Sequence, residues 1–110
     1  MKGGKPQIFS SDQVGREARI SIRGQRQRCN NPNASDFQHY GGKGVKVCYD
    51  SKEFFNWFKK HRKKIPLNIK VNVDRIDHDG NYCFSNIRLI TKRQNVIESN
   101  KRRSRKKKNE

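Results

Sequence analysis

No apolar run in this sequence approaches the roughly 20 residues that a membrane-spanning helix needs, and no signal-peptide core follows Met1. Those absences set aside a membrane partner and point to a soluble, cytoplasmic chain. Cysteine is scarce: Cys29, Cys48 and Cys83 are odd in number and widely spaced, unlike a disulfide-stapled secreted domain, so reduced thiols are expected. The same spacing argues against zinc. Cys29, His39, Cys48 and Cys83 are suitable ligand types, but no pair stands in the short arrangement of a zinc knuckle. Hydrophobic residues make up only 30% of the 110, so any core is small and locally built.

Acidic residues are also few. Ten Asp and Glu face 27 Lys and Arg, a formal charge of +17 that repels itself unless a polyanion supplies the counter-charge. Nucleic acid is the default partner of such a chain.

Residues 1–9 lack periodicity and read as a flexible basic arm, with order beginning near Ser10. From Ser11 to Arg28, Val14, Ala18 and Ile22 recur every four residues. Arg16, Arg19, Arg23 and Arg26 form a second stripe, so the spacing predicts a helix with one packed and one basic face. Gly15 and Gly24 weaken this helix, and Asn30-Asn31-Pro32-Asn33 ends it. Glycines 41, 42 and 44 permit a turn with positive φ, and Val45, Val47 and Tyr49 alternate as a short strand does. Asp50 and Glu53 have capping-box spacing for a second helix, whose Phe54, Trp57, Phe58 and His61 share one face. These aromatics read as core packing rather than as exposed base-stacking platforms.

After Pro66, Ile69 to Asp74 alternates as a half-buried strand with Asp74 on its polar face. Arg75 would fall in phase with Val71 and Val73, so either the strand ends at Asp74 or a bulge intervenes. His78-Asp79-Gly80-Asn81 makes a turn, and residues 87–90 make a second strand. Thr91 and Gln94 have capping-box spacing for a last helix opening with Lys92 and Arg93. The run Lys101, Arg102, Arg103, Ser104, Arg105, Lys106, Lys107, Lys108 reads as a disordered basic tail at 101–110. The expected fold class is α+β, a single domain at 10–100.

The segment Val73-Asp74-Arg75-Ile76-Asp77-His78-Asp79-Gly80-Asn81, with Asn86 and Thr91-Lys92-Arg93-Gln94-Asn95 behind it, resembles the HNH, or ββα-metal, endonuclease motif. Upstream, Arg28-Cys29-Asn30-Asn31-Pro32, Tyr40-Gly41-Gly42-Lys43-Gly44-Val45 and Val47-Cys48 are similar to the front half of small phage and mobile-element members of that family. The resemblance implies a ββα-metal finger at about 69–100 and cleavage or nicking of double-stranded DNA. It also implies that Asp74 and Asn95 hold one Mg²⁺ or Mn²⁺, while Asn86 braces the loop. Hard oxygen ligands of this kind suit such ions, with water and phosphate completing the shell.

Arg75 stands where the family has its water-activating histidine, and arginine stays protonated, so it cannot be the base. Arg75 is left a phosphate-clamping role. His78, nearest in sequence, is the first candidate for the base, His39 or solvent the others. Asp77 and Asp79 either approach the metal or shape the turn. Lys43, Lys92 and Arg93, the arginine stripe, and Lys101, Arg102, Arg103, Arg105, Lys106, Lys107 and Lys108 are the expected nucleic-acid contacts. The alternatives are an HNH-shaped DNA-binding protein without catalysis and a basic RNA-binding module.

Overall fold

Asp12 starts the first helix by accepting a hydrogen bond from the Gly15 amide at 2.9 Å, and Ser10 Oγ donates to the same carboxylate oxygen at 2.6 Å. These bonds hold the Asp12 carboxyl below the usual range, the serine contributing most. Helix α1 then runs Gln13–Asn30 and buries Gly15, Ala18, Ile22, Gln25 and Cys29, a stripe spaced by three and four residues. Helix α2, Ser51–Arg62, opens with a reciprocal box: Glu53 N–H donates to Asp50 Oδ1 at 2.8 Å and Asp50 N–H donates to Glu53 Oε1 at 3.0 Å. Its buried face is Phe54, Phe55, Phe58 and Arg62, with Trp57 and His61 half-buried beside it. The two helices pack on each other, and burying each phenylalanine is worth about 1.5–3 kcal/mol.

The computed structural model describes residues 8–108, with side chains through Lys101. Residues 1–7 of the expected arm lie outside that range, while Phe9, counted with the arm, packs its ring 5.2 Å from that of Phe55. The fold is α+β: the helices are joined by one two-stranded antiparallel sheet, β1 (Val71–Arg75) paired with β2 (Ile87–Thr91). Among the described residues no helix is long and apolar enough to cross a membrane. The register runs Val71 opposite Thr91 to Arg75 opposite Ile87. It continues through Arg75, so the strand neither stops at Asp74 nor bulges.

Side-chain alternation gives the sheet two faces. Val71, Val73, Arg75, Ile87 and Leu89 lie toward the α1–α2 core, and Asn72, Asp74, Arg88 and Ile90 lie on the other face. Helix α3, Lys92–Lys108, follows β2 without a loop and contacts both strands. Its start is a box in which Gln94 N–H donates to Thr91 Oγ1 and Thr91 N–H donates to Gln94 Oε1, each at 3.0 Å. The helix continues to Lys108, through most of the stretch read as a disordered tail, where neither Gly nor Pro interrupts it.

The strand expected at 45–49 reduces to one bridge, Val47 with Tyr82, because the chain reaches it through short 3₁₀ turns at Phe37–His39 and Gly41–Lys43. Of the glycines in that turn only Gly44 takes a positive φ, +90°. The bridge ties residues 46–48 to the β1–β2 loop: Cys48 N–H donates to Tyr82 O and Tyr82 N–H donates to Lys46 O, both at 2.9 Å. Cys48 and Cys83 are joined there by a disulfide, which corrects the expectation of three reduced thiols. A gap of 35 residues hides that proximity, which arises only when the two loops dock. Cys29 is free and buried, and burial pushes its thiol up.

Candidate metal and nucleic-acid site

Asp74 lies on the α3-facing side of the hairpin and is only 7% exposed. An unpaired carboxylate so placed would be costly, and Arg88, directly across the sheet, supplies the compensating charge. Its Nε donates to Asp74 Oδ2 at 3.0 Å, and its Nη2 lies 2.9 Å from the same oxygen. The other oxygen, Oδ1, faces His78 Nε2 at 3.8 Å. His78 is the one candidate base that the fold brings to Asp74. His39 sits at the surface in its 3₁₀ turn, with Nε2 3.3 Å from Gln38 Nε2.

On α3, the half-buried positions Asn95, Glu98 and Ser99 are spaced three and four apart and so form the stripe turned toward the sheet. Asn95 is half-buried on α3. Arg88 and Ile90 line a small cleft there with Gln94, Ile97 and Glu98. A carboxylate oxygen and an amide oxygen are the right donors for a hard divalent ion that keeps most of its water. Both Arg88 nitrogens reach Asp74 Oδ2, and Oδ1 is left to the side of His78. No group of three or more His, Cys, Asp or Glu residues stands ready for a metal among the described residues.

Arg75 points the opposite way. Its guanidinium carbon lies 4.7 Å from the Tyr40 ring centre and 5.2 Å from that of Tyr82, and its Nη1 donates to Gly80 O at 2.7 Å. Arg28 approaches the same two rings, at 5.2 and 5.8 Å, and donates from Nη2 to the Tyr82 hydroxyl at 3.0 Å. Two arginines and two stacked tyrosines thus form a cation–π block under the hairpin. Burial pushes the Tyr82 hydroxyl upward, against the lowering effect of Arg28. In this position Arg75 does not face the Asp74 carboxylate, and its neighbours give it a structural role.

Asn86 braces the loop as expected. Its Oδ1 accepts from Asp77 N–H at 2.8 Å, and its Nδ2 donates to Asp77 O at 3.0 Å and to Asn81 O at 2.9 Å. A Cβ on Gly80 would come within 2.7 Å of that Nδ2, so glycine is needed for the approach. Asp77 shapes the turn by accepting from Asp79 N–H at 3.0 Å, and Asp79 lies 3.9 Å from Lys43 Nζ.

The basic residues divide by exposure. Arg16, Arg19, Arg23, Lys43, Lys92, Arg93 and Lys101 are exposed, whereas Arg26 is half-buried. Arg102, Arg103, Arg105, Lys106, Lys107 and Lys108 continue α3, their side chains outside the described range. Arg28, Arg62 and Arg88 were missed by sequence reasoning because arginine reads as surface charge; only their position opposite a partner reveals them. For Arg88 the signal was weak but present, since a hairpin closed by the 76–86 loop sets it near Asp74. No family model, curated protein or solved structure matches the chain.

Proposed function

We propose that this protein is a double-stranded DNA endonuclease of the HNH type, whose β1–β2–α3 unit nicks or cuts phosphodiester bonds using one Mg²⁺ or Mn²⁺. The observation that carries this reading is the buried Asp74 carboxylate on the α3-covered face, with His78 Nε2 3.8 Å from it. Asp74 and Asn95 hold the ion, which supplies Lewis-acid stabilisation of the phosphate and the leaving oxygen. His78, oriented by the Asp74 carboxylate, accepts the proton of the attacking water, the role that Arg75 cannot fill. Asn86 positions His78 indirectly by fixing both ends of the turn that carries it. Lys92 and Arg93, at the start of α3, and the exposed Arg16, Arg19 and Arg23 neutralise DNA phosphates, contacts that give affinity without sequence information.

The Arg88 grip on Asp74 and the arginine in place of the family's histidine favour a second reading, a DNA-binding protein of the same shape without cleavage. Supercoiled-plasmid nicking in Mn²⁺ and Mg²⁺ separates the two. Nicking that falls about 100-fold or more in His78→Ala is expected for the nuclease. Salt-sensitive duplex binding with no nicking in either metal supports the second reading, and preference for structured RNA over duplex DNA in competition removes both.

A further inference from the structure

Four rings touch in sequence beside α2. Tyr49 and Phe84 stack with centres 4.7 Å apart, Phe84 meets Trp57 at 6.2 Å, and Trp57 meets His61 at 4.6 Å. Tyr49 is buried and roots the row in the core, whereas Trp57 and His61 are half-buried and Phe84 is 40% exposed. Phe84 is held on both sides. Cys83 before it is bonded to Cys48, and Asn86 N–H donates to Cys83 O at 2.8 Å across the 3₁₀ turn Phe84–Asn86. A ring fixed at the surface stacks on a ligand with little ordering cost.

The flanking charge points to what covers it. Lys60 and Lys64 are exposed and stand three positions beyond Trp57 and His61, the spacing that puts neighbours on one side of a helix. The Glu53 carboxylate, one turn before Trp57, accepts from the Asp50 amide at 3.0 Å. In a chain of formal charge +17, a flat apolar ring beside lysines fits a phosphate-linked strand whose bases are free to stack. A duplex keeps its base faces inside its own stack, so the occupant is a strand with unpaired bases.

We propose that Phe84, with Trp57 and His61 beside it, is a stacking platform for unpaired bases of single-stranded DNA, and that Lys60 and Lys64 meet the flanking phosphates. DNA as the partner rests on the proposed function. Stacking needs neither metal nor cleavage, so loss of nicking leaves this proposal standing and loss of stacking leaves the nuclease reading standing. The platform gives the chain a preference for bases that its arginine stripe, which meets phosphates alone, does not supply.

Trp57 is the only tryptophan, so its fluorescence reports on this row of rings. The full chain is titrated with oligo(dT) and with an abasic oligomer of equal length, which carries the same phosphates without bases. Oligo(dT) is expected to quench Trp57 and to bind about tenfold tighter than the abasic oligomer. Phe84→Leu, which keeps an apolar side chain and removes the ring face, should bring the two oligomers to within about twofold, with abasic binding unchanged. Phe84→Tyr should restore the preference, and thermal melting of both variants establishes that they are folded. Lys60→Gln with Lys64→Gln should weaken both oligomers alike and flatten the salt dependence. Equal binding and equal quenching by the two oligomers in the parent overturns the proposal, a comparison that requires no variant to fold. A full preference for oligo(dT) in folded Phe84→Leu overturns it as well. Oligo(rU) bound more tightly than oligo(dT), with the same loss in Phe84→Leu, makes RNA the occupant and overturns the assignment to DNA.

Discussion

Arg62 is 1% exposed yet charged, and its replacement by Met tests whether the arginine is a structural hub. Nε and Nη2 donate to the two Glu17 carboxylate oxygens at 2.8 and 3.2 Å. Nη1 and Nη2 also donate to the carbonyls of Ile65, Pro66, Leu67 and Ile69 at 3.0, 3.2, 3.4 and 3.0 Å. The guanidinium thus joins α1, the end of α2 and the segment leading into β1. Met keeps most of the aliphatic stem and buries well, but it takes the Arg62 donors from the Ile65 and Ile69 carbonyls and the charge partner from Glu17, while Pro66 O keeps the Ile69 amide and Leu67 O keeps Gln13 Nε2. Breaking a buried pair from one side costs about 3–5 kcal/mol. Glu17, at 25% exposed, recovers some hydration, so the lower end, about 3 kcal/mol, is expected. For a domain whose total stability is about 5–15 kcal/mol, that lowers the melting temperature by roughly 15 °C. Urea unfolding followed by Trp57 fluorescence measures it. Glu17→Gln, which keeps an acceptor, should cost about 1 kcal/mol, and the double variant should be little worse than Arg62→Met alone. A loss below about 1 kcal/mol in Arg62→Met would refute the hub assignment.

Asn86→Ala removes three hydrogen bonds from the β1–β2 loop and should cost about 2 kcal/mol, with a larger proportional loss of nicking as the His78 turn loosens. Arg75→His restores the family's residue but deletes a guanidinium buried between Tyr40 and Tyr82; lower thermal stability and no gain in nicking are expected, and increased nicking would show that the stack is dispensable. Burial raises the Tyr49 and Tyr82 hydroxyls above their ordinary value near 10. The folded state therefore holds those protons more tightly, so their contribution is fully present below pH 10 and is lost as pH rises through the folded values. Denaturation monitored between pH 9 and pH 11 should show stability falling, with a shallower fall in Tyr49→Phe.

Short-range chemistry was legible in the sequence. The Asp50–Glu53 and Thr91–Gln94 boxes formed at the expected starts because capping depends on residues three apart, and both hairpin strands appeared within a few positions. Asn86 was legible through the resemblance and braces its loop as expected. What stayed hidden depends on distant partners. The alternation rule for a strand correctly put Arg75 in phase with Val71 and Val73, yet its charge argued for a break; two tyrosines, 35 and 7 positions away, make the burial tolerable. Gln25 is buried for a similar reason, accepting from the Tyr49 hydroxyl at 2.6 Å. The Cys48–Cys83 pairing and the Arg88 partnership likewise require the loop and hairpin to be folded first.

The most direct measurement is plasmid nicking by Asp74→Asn beside the parent in Mn²⁺, with duplex binding recorded for both. The substitution is close in size and removes the charge on which metal binding depends. Metal-dependent nicking by the parent, lost in the variant while the variant still binds duplex DNA, is the predicted result. Nicking that persists in Asp74→Asn, or a parent that binds DNA and never nicks it, contradicts a metal centre at this carboxylate.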